Sequence, residues 1–199
     1  GTPFKVFTPF WRKCRDLPLV LEPAIPIRFA AWPGECESPD ELADWALLPT
    51  TPDWAHSWNT FWQPGESAAH AKLAAFLGEA VGDYDIGRNY PARSNTSRLS
   101  AHLHFGEIAP ARVLHAARQA GLANPALQAE TEKFASELGW REFSHHLLFH
   151  FPTMPEQAFK ADFSAFPWVG GTRELRAWQQ GRTGYPIVDA GMRELWQTG

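Results

Sequence analysis

From Pro64 onward, apolar residues recur at helical spacing and prolines and glycines bracket each run, so this part of the chain must fold as packed helices. Leu73, Phe76 and Leu77 hold core spacing within 65–77. Pro110 sits where a first helical turn needs no N–H, and Gly121 ends that run. Asn124-Pro125 opens a long helix that reaches about His150, where Phe151-Pro152 stops it. Residues 152–170 read as loop. Two further helices, over 172–180 and 187–197, are joined by Gly181-Arg-Thr-Gly184-Tyr-Pro. No strand alternation is convincing after residue 12, and the expectation is an all-α body.

The first sixty residues read differently. Phe4 to Trp11 is short and aromatic, and Pro9 interrupts it. Prolines then recur at 18, 23, 26, 33 and 39, which suits a linker or wrapping segment. Ser38-Pro39-Asp40-Glu41 forms a capping box that opens a short helix toward Leu47. Trp45, Trp54, Trp58 and Trp62 are expected to pin this connection to the helical body.

Composition narrows the function. Net charge is −4, so no global field draws the chain to nucleic acid, and any such binding needs a local patch. Cys14 and Cys36 stand outside any zinc or disulfide pattern, which makes a reducing, cytoplasmic setting the default. No apolar run is long enough to span a membrane, and no signal-peptide pattern opens the chain. The chain starts Gly-Thr-Pro without Met, as an excised or processed piece does.

The most informative stretch is 134–144. As a helix it sets Glu137, Trp140, Arg141 and Ser144 at i, i+3, i+4 and i+7, on one face. The plain reading is an amphipathic helix with a surface Glu–Arg pair. Trp140, off the apolar side marked by Leu138, Leu147 and Leu148, instead suits stacking on a base or a flat ligand. Thr96-Ser97-Arg98-Leu99-Ser100 resembles a helix entry, where hydroxyls and backbone N–H groups hold an anion such as a pyrophosphate. Ordinary capping is the plainer reading, and the anion signal gains weight only from Tyr84, Arg88, Arg93 and Arg98 upstream of or within it. Arg88, Arg93 and Arg98 fall within eleven residues and form either a phosphate-neutralising patch or a solvated loop. The eight histidines match no metal-ligand frame, and there is no Gly-rich dinucleotide fingerprint or GxSxG elbow. Trp168 is either a packing residue or an electron relay.

Thr96-Ser-Arg-Leu-Ser, then His102-Leu-His-Phe-Gly-Glu, then Glu137-Leu-Gly-Trp-Arg-Glu-Phe, then the long run 177–195, resemble the DNA photolyase/cryptochrome family in order and spacing. The opening ten residues resemble the end of that family's antenna domain. The resemblance implies residues 1–14 as that end, 15–60 as an extended interdomain linker, and 61–199 as the N-terminal part of the helical FAD-binding domain. It implies light-driven repair of cyclobutane pyrimidine dimers by electron transfer from excited, reduced FAD, with the damaged nucleotides flipped into the pocket; photolyases are a standard example of base flipping.

By position, the resemblance assigns Tyr84, Thr96, Ser97, Arg98, Leu99, Ser100, Phe134 and Arg141 to the flavin. It assigns Arg88, Glu137, Trp140, Arg141 and Ser144 to the DNA side. Glu137 would stabilise the dimer, Trp140 would pack on it, and Trp168 would be the outer tryptophan of the relay; no metal is implied. Phe134 departs from the tryptophan usual there. Glu137 with Trp140 resembles the cyclobutane-dimer enzymes more than the (6-4) type. The resemblance further implies UV-damaged DNA as partner, a monomer, no membrane, and an antenna chromophore outside these residues. A family run expected directly after Gly199 is missing, so the chain reads as a middle slice that alone binds flavin poorly and does not repair. Two rivals remain: a cryptochrome-type light receptor and a helical nucleic-acid-binding module without catalysis.

Overall fold

The computed structural model describes residues 2–21, 34 and 41–199; among these there are helices and turns and no strand. The chain divides into two units. The first comprises Gly1–Pro23 with Pro64–Phe166, the second Ala24–Gln63 with Pro167–Gly199.

The first unit holds α1 (Phe7–Cys14), α2 (Glu66–Ala75), α3 (Tyr84–Gly87), α4 (Ser100–His104), α5 (Pro110–Ala123) and α6 (Gln128–His150). α2 runs on into a wider π turn over Phe76–Ala80. Asn124 starts the long helix as the sequence suggests: its Oδ1 accepts the Ala126 N–H at 3.1 Å, capping one 3-10 turn before α6. α5 packs along α6, and α1 and α3 also pack on α6. The core is Leu73 and Phe76, Val81 and Tyr84, Leu99, Ile108, Val113 and Ala117 of α5, and Phe134 and Leu138 of α6. Each large side chain there contributes about 1.5–3 kcal/mol by leaving water. Phe134 and Leu138 lie one turn apart on the buried stripe of α6, which continues to Phe143; of the leucines expected to mark the apolar side, Leu138 is buried, Leu147 half-buried and Leu148 exposed.

Residues 4–11 depart from the sequence reading. Pro9 does not interrupt them; it falls in the first turn of α1, where no intrahelical N–H is needed. Phe7, Phe10 and Trp11 then share a face that meets α6. Phe10 is buried, with its ring 5.2 Å from that of Phe143. Trp11 lies directly over Gly139, where any Cβ would overlap the indole. The Phe4 N–H donates to His146 Nε2 at 3.1 Å.

Two capping expectations change. Ser38, Pro39 and Asp40 lie outside the described residues; the helix that follows is one 3-10 turn, Leu42–Trp45, and Glu41 makes no side-chain cap bond. α4 begins at Ser100 rather than at Thr96. Arg98 takes φ +48°, and Ser97 Oγ accepts the Leu99 N–H at 3.4 Å, because the chain turns to bury Leu99 before it coils.

The second unit holds α7 (Thr172–Gln179) and α8 (Pro186–Thr198), which pack together. Two of the clustered tryptophans reach the end of α8. Trp62 Nε1 donates to the Thr198 carbonyl at 2.7 Å, and Trp58 lies against Gly199. Trp45 is exposed. The Gly181–Pro186 connection is held by Asp189, which accepts the Thr183 N–H and hydroxyl (both 2.7 Å) and the Gly184 N–H (3.0 Å). Gly181, at φ +62°, brings its Cα side against the Asp189 carbonyl, too close for a side chain. No described helix is long and apolar enough to cross a membrane.

Candidate functional site

α6 presents the predicted stripe, but its members find different partners. Glu137, half-buried, pairs with Arg88, the residue directly after α3, and lies 3.7 Å from Lys133 Nζ, one turn back on α6. Lys133 also lies 3.8 Å from Asp85 of α3. The hydrogen bond from Arg88 to Glu137 raises the Arg88 pKa above its ordinary value, against the opposing effect of burial. The Arg88 guanidinium sits 5.5 Å over the Tyr84 ring.

Trp140 is 46% exposed, and Phe7 of α1 covers one face of its indole. Phe143 meets it edge-on at 5.9 Å. Arg141 turns to its neighbour Glu142, at 2.7 Å. Ser144 Oγ donates back to the Trp140 carbonyl at 2.9 Å, so its proton is used within the helix. The three groups that share this face of α6 are thus engaged with different partners. The carboxylate goes to Arg88 and Lys133, the indole to an aromatic from α1, and the guanidinium to the adjacent acid.

Tyr84 and Phe134 come together, but inside the core. Their rings lie 5.4 Å apart and both meet Phe76. Phe134 is 4% exposed, and burial raises the Tyr84 phenol pKa. Both rings are thus largely enclosed by the core in this conformation. Leu99 is likewise buried and can contribute only through its backbone.

The loop 96–100 runs into the start of α4. Thr96 and Ser100 are exposed, and so is Arg98. Burial, and then the charge of Arg98, lower the Lys72 pKa, so two cations from separate segments crowd this place. Of the arginine run, Arg93 is engaged internally: it bonds Asp83 at 3.0 Å and lies over the Tyr90 ring. Its charge and that of Arg88 are thus balanced by nearby carboxylates. Trp168, in the second unit, is 76% exposed on the loop before α7.

A groove of about 780 Å³ in the first unit is lined by Trp11, Arg118 and Lys133 among others, and a cavity of about 450 Å³ in the second by Arg173, Arg176 and Arg182. Neither takes in a residue expected from the sequence. Among the described residues, no group of three or more His, Cys, Asp or Glu side chains is placed to hold a metal ion. Sequence reasoning missed Phe7 and Lys133. The i, i+3, i+4 spacing of Phe7, Phe10 and Trp11 carried the signal for the first, and the i, i+4 spacing of Lys133 and Glu137 for the second.

Residues 134–199 match the model of the FAD binding domain of DNA photolyase. Over its whole length the chain is 44% identical to the deoxyribodipyrimidine photo-lyase of Agrobacterium fabrum, covering 41% of that protein. It is 36% identical, again over its whole length, to cryptochrome-1 of Arabidopsis thaliana, covering 30% of it. The crystal structure of a bacterial class III photolyase from Agrobacterium tumefaciens superposes with a TM-score of 0.88 over the whole chain and 41% of that structure, at 44% identity. The chain spans about two fifths of the length of these photolyases, and it belongs to the DNA photolyase/cryptochrome family.

Proposed function

We propose that the intact protein is a photolyase that repairs cyclobutane pyrimidine dimers in UV-damaged DNA. The observation that supports this reading is the placement of Glu137 and the half-exposed Trp140 three residues apart on α6. FAD, when bound, supplies the light-excited electron donor. The loop 96–100 and Lys72 hold the phosphate end, and Arg141 serves the boundary between flavin and DNA. The free face of Trp140 receives the flat lesion, and Phe7 behind it fixes the indole plane. Glu137 accepts hydrogen bonds from the extruded bases and, placed in advance, holds them where charge develops. Arg88 reaches a DNA phosphate, Ser144 lies on the same side, and Trp168 serves as the outer station of electron supply. Tyr84 and Phe134 act from below, as the packed floor under α3 and α6.

We further place the protein in the cytoplasm as a monomer, with its antenna pigment held outside these residues. Residues 1–14 belong in this reading to the end of an antenna domain, 15–60 to a linker and 61–199 to the FAD-binding domain. The 199 residues alone are expected to bind flavin weakly and to leave dimers intact. The test is Glu137→Ala in the intact protein: repair quantum yield falls while flavin absorbance is retained. Unchanged repair removes the role given to this carboxylate.

The 36% identity to cryptochrome-1 favours a second reading, a blue-light receptor on the same fold. Purified, illuminated protein that fails to split dimers in duplex DNA selects it.

A further inference from the structure

Four charged side chains meet where α3 and its C-terminal end lie against α6: Asp85 from α3, Arg88 directly after it, and Lys133 and Glu137 from α6. The charges of these four sum to zero; beside them Glu130 of α6 accepts the Asp85 N–H at 2.7 Å. Arg88 and Glu137 are 27% and 26% exposed at the side chain, so both are partly desolvated yet reachable from solvent. In this arrangement Arg88, the cation assigned to a DNA phosphate, is already neutralised by the carboxylate assigned to the lesion.

We propose that the Arg88–Glu137 ion pair is a partner-exchange latch that sets lesion specificity: a DNA phosphate takes Arg88 while the extruded, damaged bases take Glu137, and neither exchange is favourable alone. The inference rests on the function proposed above and adds to it how that site refuses ordinary DNA.

The physical argument concerns what each half-exchange leaves behind. A phosphate that approaches Arg88 while Glu137 remains meets a carboxylate on the same guanidinium, and like charges repel. If Arg88 leaves for the phosphate, Glu137 keeps only Lys133, which is farther away and shared with Asp85. A partly desolvated carboxylate that loses its main partner is destabilised. The loss is offset only if something else donates hydrogen bonds to that carboxylate. Pyrimidine N–H groups do so when they are out of the duplex; in intact DNA they stay in base pairs. A dimer pairs poorly and is extruded at lower cost, so it supplies both replacements at once. The geometry suits an exchange: the Arg88 guanidinium lies over the Tyr84 ring, which supports it as it pivots from one anion to the other.

The test uses the intact, flavin-loaded protein and compares binding of a dimer-containing and an undamaged duplex across a salt series. Glu137→Gln frees Arg88. Undamaged duplex is expected to bind about threefold to tenfold tighter, with the salt slope steeper by about one phosphate contact. The ratio of damaged to undamaged affinity falls by at least that factor. Undamaged-duplex affinity and salt slope equal to wild type overturn the latch. In the wild-type protein, the Arg88 Nε–H resonance is expected to move when the damaged duplex is bound and to stay when undamaged duplex is bound to the same occupancy. Equal movement with both duplexes also overturns it. Failure of the parent reading is seen separately: wild-type protein that binds a dimer and does not split it under light retires the repair function whatever the binding ratios.

Discussion

Phe7 lies flat against Trp140, with ring centroids 3.7 Å apart and planes 10° from parallel. One residue comes from α1 and the other from α6, so a helix near the start of the chain sets the plane of the indole proposed to receive the lesion. Stacking of this kind contributes about 0.5–1.5 kcal/mol beyond area burial. Phe7→Ala in the intact protein should therefore weaken binding of a dimer-containing duplex by about twofold to tenfold, with undamaged duplex little affected. Anisotropy titrations check it; equal weakening for both duplexes removes Phe7 from lesion recognition.

Gly139 lets α1 approach α6. Its missing side chain leaves the space that the Trp11 ring fills, with ring atoms as near as 2.7 Å and closer to where a Cβ would stand. Gly139→Ala must displace the indole, an overpacking cost of about 1–3 kcal/mol. Calorimetry should show a lower Tm. Trp11→Leu added to Gly139→Ala should recover part of the loss, because the overlapping ring is gone. No recovery would mean that α1 is held elsewhere.

Glu107 ties α2 to α4. It accepts the Gly65 N–H at 2.7 Å and pairs with buried His102 at 2.5 Å. The His102 hydrogen bond first, and the Gly65 N–H second, hold its pKa below the ordinary carboxylate value. A carboxyl whose folded pKa is depressed stabilises the fold above its unfolded pKa, about 4.3, and loses that contribution as pH falls through the folded value. Urea midpoints measured from neutral pH down through this window should drop more steeply for wild type than for Glu107→Gln. Parallel curves would contradict this role.

Asp189 organises the loop before α8 through two backbone N–H groups and a hydroxyl. These bonds, with the Thr183 hydroxyl foremost, keep its carboxyl below the ordinary value, so it is charged near neutral pH. Asp189→Ala should speed hydrogen exchange at the Thr183 and Gly184 amides by about tenfold or more, since each loses a charge-assisted bond. Unchanged exchange would show that Gly181 and the helix start hold the loop by themselves.

Much of the helical scaffold could be read from residues alone. Pro110, Asn124-Pro125, Phe151-Pro152 and Pro186 punctuate it through local backbone chemistry, which needs no tertiary partner. Pro9 is ambiguous in sequence, because a proline in a first helical turn looks the same as one that ends a segment, and only the aromatic spacing on either side separates the two. Loop 96–100 was placed one turn early, because a buried Leu99 outweighs the capping preference of Thr96.

The candidate site was legible as a list and not as an arrangement. Glu137, Trp140, Arg141 and Ser144 share a helix face by periodicity, and the sequence determined that much. Arg141 and Ser144 took partners within α6, Glu142 and the Trp140 carbonyl, but Glu137 and Trp140 took theirs from about fifty to more than a hundred positions away, Arg88 and Phe7. Helical spacing constrains only neighbours three and four residues apart. Contacts between helices, and with them the withdrawal of Tyr84 and Phe134 into the core and the cancelling of charge between Arg88 and Glu137, were decided when α1 and α3 packed on α6.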